Sequence, residues 1–276
     1  MNVLVATDGS RYGRWALKWV AKLPLVEPAQ VMALHVSGLD AHRASFLAPQ
    51  EIQRMAKRSA GILKEAKQQL AALKLKGTAR KEQGAVAPTI LKRAPKRDGL
   101  LVVGSQGLDA IDRFLLGSVS TQLIQHAPCP VLVVKGAATS VRRMILAIDG
   151  SNASAKALKF VLTKFQPDRS TGKGGRAPIH VSVLHVLPVM TYPGLKEASL
   201  NLLEQTVQKV IKAGFTGEPL CYRGNPAEEI TKAASQQQTD LIVMGAQGRG
   251  AINRFLLGSV STRVVQHANS SVLVVR

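Results

Sequence analysis

Residues 100–134 read LLVVGSQGLDAIDRFLLGSVSTQLIQHAPCPVLVV, and residues 241–275 read LIVMGAQGRGAINRFLLGSVSTRVVQHANSSVLVV. A constant offset of 141 residues lays Gly104 on Gly245, Gly107 on Gly248, Gly117 on Gly258 and Ser118 on Ser259. Near-identity over this length means two copies of one domain. Each copy opens on a β-rich apolar run (Leu100–Val103, Leu241–Met244) that ends in Gly-x-x-Gly. Nine residues later comes Gly-Ser, then a helical pattern closed by His-Ala, then a second apolar run (Val131–Val134, Val272–Val275). Strand, glycine loop, helix and strand make a parallel α/β unit. A glycine loop feeding a helix N-terminus offers unpaired backbone N–H groups and the positive end of the helix dipole, which suits an anion. Glycine lets the backbone come close to a phosphate, and serine adds a short hydroxyl donor.

Upstream of this stretch the copies go on matching. Asn2–Thr7 and Met144–Ile148 are short apolar strands that end in Asp-Gly-Ser, at Asp8–Ser10 and Asp149–Ser151. Helices are expected at Arg11–Lys22 and Asn152–Lys164, and strands at Gln30–Val36 and His180–Val186. Long amphipathic helices follow at Pro49–Leu75 and Leu195–Ala213, then short strands at Thr78–Gln83 and Glu218–Arg223. Asn225-Pro226 starts a helix with Asn as N-cap and Pro in the first turn; the first copy reads Ala85-Val86 there and lacks both signals. Each half therefore alternates five strands with four helices, and crossover helices imply parallel strands. The expected fold is α/β: two tandem doubly wound domains, residues 1–137 and 141–276, packed as a pseudo-symmetric pair and meeting in the polar stretch Lys135–Arg142. Gln166–Pro178 is rich in Gly, Ser and charge and reads as a surface loop; its Lys173-Gly174-Gly175 lacks P-loop spacing.

The formal net charge is +20, divided as +11 on residues 1–138 and +9 on residues 139–276. Such a balance attracts polyanions without specificity. Aromatics are only 4% of the chain, too few for platforms that stack single strands. A solvated basic surface is the expected reading, and specific nucleic-acid binding is not expected. No apolar run approaches the length of a membrane helix, so no membrane is expected as a partner. Asn2-Val-Leu-Val-Ala reads as a strand and not as a leader. Cys129 and Cys221 occupy unlike places in the two copies, with neither metal nor disulfide spacing. A reducing cytoplasm is expected.

Several residues carry two readings. Asp8 and Asp149 stand at the C-terminal ends of strands, where ligands of open parallel sheets bind, but Asp before a helix is also a cap. His35 and His185 are candidate bases, although a histidine inside a strand is more often structural. His126 and His267 close helices as cations on the dipole. Trp15 and Trp19, four apart, suit a core-facing stripe. Cys129, between two prolines, reads as a small structural residue.

With these residues in view, both halves resemble the universal stress protein family. Its nucleotide motif is Gly-x-x-Gly, nine residues, then Gly-Ser/Thr. Gly104, Gly107, Gly117 and Ser118 satisfy it, and so do Gly245, Gly248, Gly258 and Ser259. The resemblance implies a five-stranded parallel sheet of order 3-2-1-4-5 in each half, with ATP, together with Mg²⁺, as ligand. It implies that Asp8 and Asp149 contact the adenosine and that the backbones of Val36 and Val186 bind adenine. The glycines with Ser118 or Ser259 would hold ribose and phosphates, and Val119-Ser120 and Val260-Ser261 would add phosphate contacts. Arg249, which follows Gly248 where the first copy has Leu108, joins the second set. It also implies pairing through the last strands, within one chain or in a homodimer of tandem chains. Asp109 and Asp112, replaced by Gly250 and Asn253 in the second copy, would repel a triphosphate unless Mg²⁺ bridges them. The expected preference is therefore for the second copy.

The functional expectation is an ATP-binding, nucleotide-dependent stress-response regulator with a protein partner and no catalytic residues, hydrolysing ATP slowly at most. Two alternatives stand beside it. One is a slow ATP hydrolase or nucleotidyl transferase using His35, His185 or Asp149 as base. The other is a nucleotide-free interaction protein that exploits the positive charge.

Overall fold

The computed structural model describes residues 1–39, 45–96, 98–107, 116–137, 140–167, 178–190, 193–248 and 257–276. They fall into two compact units, Met1–Ala21 with Pro28–Ala138 and Lys22–Glu27 with Thr139–Arg276.

The first repeat runs β1 (Asn2–Ala6), α1 (Arg11–Lys22), β2 (Gln30–Val36), α2 (Pro49–Ala72), β3 (Lys76–Glu82), α3 (Val86–Arg93), β4 (Gly99–Gly104), α4 (Ser118–His126) and β5 (Val131–Val134). Its strands are parallel in the order β3-β2-β1-β4-β5, with Val3 beside both Val31 and Leu100. The second repeat runs β6 (Arg143–Ala147), α5 (Asn152–Lys164), β7 (His180–Leu187), α6 (Pro193–Lys212), β8 (Thr216–Arg223), α7 (Pro226–Gln236), β9 (Leu241–Gly245), α8 (Ser259–His267) and β10 (Ser271–Val275). Its order is β8-β7-β6-β9-β10, again parallel. Both repeats thus have the expected α/β sheet order 3-2-1-4-5.

The strand sequences explain the order. β4 (GLLVVG) and β5 (VLVV) are buried at every residue, and β1 at all but its first. Strands covered by helices on both faces need continuous apolar runs. The outermost strands β3 (KGTARKE) and β8 (TGEPLCYR) are polar and mostly accessible, as sheet edges are.

Some boundaries differ from the sequence reading. α2 stops at Ala72 and not at Leu75, because Lys74 turns into the left-handed region at φ 54°. The Leu75 N–H then reaches back to the Leu70 carbonyl at 2.9 Å. The second repeat makes the same turn with Gly214 at φ 94°. Glycine meets no penalty in that conformation and lysine does. The caps of α3 and α7 differ as expected: Asn225 Oδ1 accepts the Ala227 N–H at 3.0 Å, while Ala85 has no side chain to offer.

Candidate functional site

In both repeats the first strand ends in the same turn. Asp8 Oδ1 accepts the Ser10 N–H at 2.9 Å, and Ser10 Oγ accepts the Gly13 N–H at 3.1 Å. Asp149 Oδ1 accepts the Ser151 N–H at 3.0 Å, and Ser151 Oγ accepts the Ser154 N–H at 3.1 Å. Gly9 and Gly150 take positive φ, 79° and 74°, at the tight point of this turn. Helix capping therefore falls to Ser10 and Ser151. The aspartates shape the turn and present their other oxygen towards the glycine loop.

That loop closes against the carboxylate. A Cβ on Gly107 would lie 2.9 Å from Asp8 Oδ2, and one on Gly248 would lie 2.9 Å from Asp149 Oδ2. A Cβ on Gly104 would meet Tyr12 at 2.6 Å, and one on Gly245 would meet Ala153 at 2.6 Å. At Gly104 and Gly245 only glycine lets the chain pass, whereas at Gly107 and Gly248 a side chain would have to push the carboxylate aside. Ser120 Oγ donates to the Gly104 carbonyl at 2.7 Å and Ser261 Oγ to the Gly245 carbonyl at 3.0 Å, fixing α4 and α8 beneath their loops. Gly117 and Gly258 precede these helices and supply no side-chain cap, so their first-turn N–H groups have no side-chain acceptor among the described residues.

The space enclosed lies at the C-terminal ends of β1 and β4, where the sheet order reverses. In the first repeat the cavity measures about 360 Å³. Asp8, Val36, Gly104 and Gly107 form one side of it; Gly117, Ser118, Val119 and Ser120 close the other. In the second repeat the cavity is about 140 Å³, with Asp149, Val186, Gly245, Gly248, Val260 and Ser261 in its walls. Gly258 and Ser259 start α8 without being among the lining residues. Arg249, Leu108, Asp109, Asp112, Gly250 and Asn253 lie outside the described residues. The linings differ at equivalent positions: Ile148 stands for Thr7, Ser154 for Gly13 and Met244 for Val103, each with more atoms than its counterpart, and Pro226 stands for Val86. The larger space thus belongs to the first repeat, while the sequence preference for the second rested on the charges of Asp109 and Asp112.

Both candidate bases are tied into the scaffold. His35 Nδ1 lies 3.1 Å from the Thr7 carbonyl and Nε2 lies 3.1 Å from Ser59 Oγ. Nδ1–H therefore donates to the backbone, and Nε2 accepts from the hydroxyl. Burial pushes the His35 pKa below its ordinary value, outweighing the Thr7 hydrogen bond and the nearby Asp8 charge. His185 Nδ1 lies 2.8 Å from the Ile148 carbonyl. Each histidine joins its strand to the end of the strand beside it. His126 and His267 occupy last turns of helices. Trp19 is buried and donates to the Gly136 carbonyl at 2.9 Å. Trp15 departs from the expected core stripe: half-buried, it meets Tyr12 edge-to-face and carries Arg11 over its ring. Cys129 is buried, Cys221 is partly exposed, and neither is in a disulfide.

The profile of the universal stress protein family matches residues 1–135 and again 140–276. The chain belongs to the universal stress protein family. A universal stress protein of Mycolicibacterium smegmatis is 30% identical over all of this chain and 97% of its own length. One of Mycobacterium tuberculosis is 30% identical over 68% of this chain and 65% of its own. Among solved structures, a universal stress protein of Archaeoglobus fulgidus covers 100% of this chain and 96% of its own, with a TM-score of 0.75 at 21% identity. Its likeness is one of fold.

Within this universal stress protein, the glycine motif draws attention to the loop side of the cavity and leaves out the opposite wall. Leu34, Val86 and Ile90 form that apolar wall in the first repeat. Val86 and Ile90 stand four apart on α3, and that spacing was the available signal. Gln106 and Gln247 occupy the same loop position in both repeats and line both cavities. Their repetition between the glycines marked them in the sequence. Among the described residues no helix is long and apolar enough to cross a membrane, and no group of three His, Cys, Asp or Glu forms a metal cluster.

Proposed function

We propose that the first-repeat cavity binds an adenine nucleotide, ATP in the simplest case, and that the protein acts as a nucleotide-dependent stress-response regulator. The observation that supports this best is the Asp8–Gly107 approach, where the absence of a side chain lets a backbone loop close on a carboxylate beside an uncapped helix start. The donor set fits the ligand. Leu34, Val36, Val86 and Ile90 offer an apolar slot for a base, and Asp8 offers an acceptor for the sugar or the base amine. The N–H groups at Ser118–Ser120 and the Ser118 hydroxyl face phosphate. Mg²⁺ would arrive with the nucleotide.

Size favours the first repeat over the second. Ligand pockets run from about 300 to 1,000 Å³, a range that includes the first cavity at about 360 Å³ and lies above the second at about 140 Å³. The first cavity is therefore the expected stronger site. Turnover is not required by this reading, since His35 and His185 already spend a ring nitrogen on backbone carbonyls.

Calorimetric titration of nucleotide-stripped protein with ATP and Mg²⁺ tests the proposal. The expected result is one strong site per chain, lost in Gly107→Val and kept in Gly248→Val, with circular dichroism confirming that both variants fold. No binding to the unmodified protein would overturn it. Loss in Gly248→Val alone would move the site to the second repeat.

A further inference from the structure

The excess of positive charge is shared almost evenly between the two halves of the sequence, yet within the first repeat it is concentrated. Residues 49–82, comprising α2 and β3, hold nine cations against three acids, a net +6. Residues 193–223, the corresponding α6 and β8, hold four against three, a net +1. The same scaffold thus carries a basic face in one repeat and a nearly neutral one in the other.

All nine cations are exposed: Arg54, Lys57, Arg58, Lys64 and Lys67 on α2, Lys74 in the turn, and Lys76, Arg80 and Lys81 on β3. Arg54, Lys57 and Lys64 lie away from the buried stripe Ser59, Ile62, Ala66 and Leu70, with Arg58 and Lys67 on its flanks. On β3 side chains alternate, so Lys81 shares the side of His35 and α2, while Lys76 and Arg80 share the side of Glu82 and border the face along the sheet edge. Arg58 on the helix and Lys81 on the strand both act electrostatically on His35, so the two elements' charges converge.

The acids nearby are engaged elsewhere. Glu65 lies 3.6 Å from Arg14, Glu82 pairs with Arg93 at 2.6 Å, and Glu51 accepts the Ala48 N–H at 3.0 Å. Among the described residues, none of the nine cations forms an ion pair. Holding so many like charges together opposes folding through their mutual repulsion, and a polyanion relieves it.

We propose that the outer face of α2 with the edge strand β3 docks on the phosphate backbone of duplex nucleic acid without reading its sequence. The face has the chemistry for this partner and not for two others. Interfacial membrane helices need large apolar side chains beside their lysines. Among the described residues the exposed large apolar ones are Val26, Phe46, Val189, Met190, Leu200 and Ile211, all outside residues 49–82. Protein interfaces are anchored by apolar or aromatic groups at their centre, and this face offers none. A duplex instead presents one charge per about 1.7 Å and asks only for cations along a line. Arg54 to Lys67 extends for about 20 Å at the helical rise, enough to follow one side of a groove. This inference stands apart from the nucleotide reading, because Gly107→Val leaves the face unchanged.

Fluorescence anisotropy with a random-sequence duplex of about 20 base pairs tests it, from about 50 to 200 mM salt. Two full-length variants are compared with the unmodified chain. One reverses Arg54, Lys57, Lys64 and Lys67 to Glu; the other reverses Lys196, Lys209, Lys212 and Arg223 to Glu. Both carry the same net charge. Four phosphate contacts predict a salt slope near −4, so the unmodified protein should lose about 10²-fold in affinity over that range. The first variant should bind at least about tenfold more weakly with a much flatter slope, and the second should stay within about twofold. Equal losses in both variants would make this a bulk-charge effect and overturn the proposal. So would no binding by the unmodified protein at low salt, or tighter binding to anionic phospholipid vesicles than to the duplex.

Discussion

Gly13 of the first repeat stands where Ser154 stands in the second, Thr7 where Ile148 stands, and Val103 where Met244 stands. The strands around them have the same order, and the glycine loops press on the same aspartates. Yet one cavity is about 360 Å³ and the other about 140 Å³. The glycine motif fixes how a loop passes a carboxylate. The room beside the loop is bounded by residues outside the motif, on the neighbouring strands and helix, so two matching motifs need not make two equal sites.

The largest effect is expected at the glycines. Gly107→Val should weaken ATP binding by at least about 100-fold, about 2.7 kcal/mol, because Asp8 must move away from the loop. Gly248→Val should change the titration little. A smaller effect is expected from exchanging the cavity walls. Thr7→Ile/Gly13→Ser/Val103→Met should weaken binding at the first site by about tenfold, near 1.4 kcal/mol. The reverse exchange, Ile148→Thr/Ser154→Gly/Met244→Val, should let a second equivalent of nucleotide bind in calorimetry. If that exchange adds no second site, cavity size is not what separates the repeats.

Two stability comparisons come next. Asn225→Ala should cost about 1 kcal/mol in urea unfolding by removing the α7 cap, while Ala85→Asn should recover part of that amount in the first repeat. Lys74→Gly should stabilise the chain by up to about 1 kcal/mol, since Lys74 holds the conformation that Gly214 adopts without a penalty. The smallest effect is one of pH. The folded-state pKa of His35 lies below the ordinary 6.5, so its contribution to stability is whole above that value and is lost as pH falls from there towards the folded pKa. Urea midpoints measured between pH 7.5 and 5 should drop less steeply in His35→Gln than in the unmodified chain.

Much of this was legible in the chain. Repetition of LLVVG and LIVMG, each followed by a spaced Gly-Ser, announced the parallel units, because strands covered on both sides must be apolar throughout. The aspartates and glycines were legible because their chemistry is local to the chain. Sequence reading could not show that Ser10 takes the cap and leaves Asp8 to the loop, since the residues compete for the same N–H groups within one turn. Its preference for the second repeat rested on the acids Asp109 and Asp112, which lie outside the described residues, and cavity volume was not legible at all: it depends on Val103 and Met244 from β4 and β9 meeting residues from far along the chain. The even split of charge between halves hid the basic face for a similar reason. α2 gathers its cations outward, with Lys81 of β3 beside them, only once the helix has buried its other side.

The last strands of the two repeats share four residues, Val131-Leu132-Val133-Val134 and Val272-Leu273-Val274-Val275. While the chain is unfolded, β4 and β9 cannot tell them apart, so each can zip onto the other's partner and leave a swapped, trapped chain. Synthesis from the N-terminus removes the ambiguity, because β5 can dock before β10 exists. Refolding from denaturant restores it, and the full chain should then regain its native state in a fast fraction and a slow one, the slow one set by unzipping of the wrong strand.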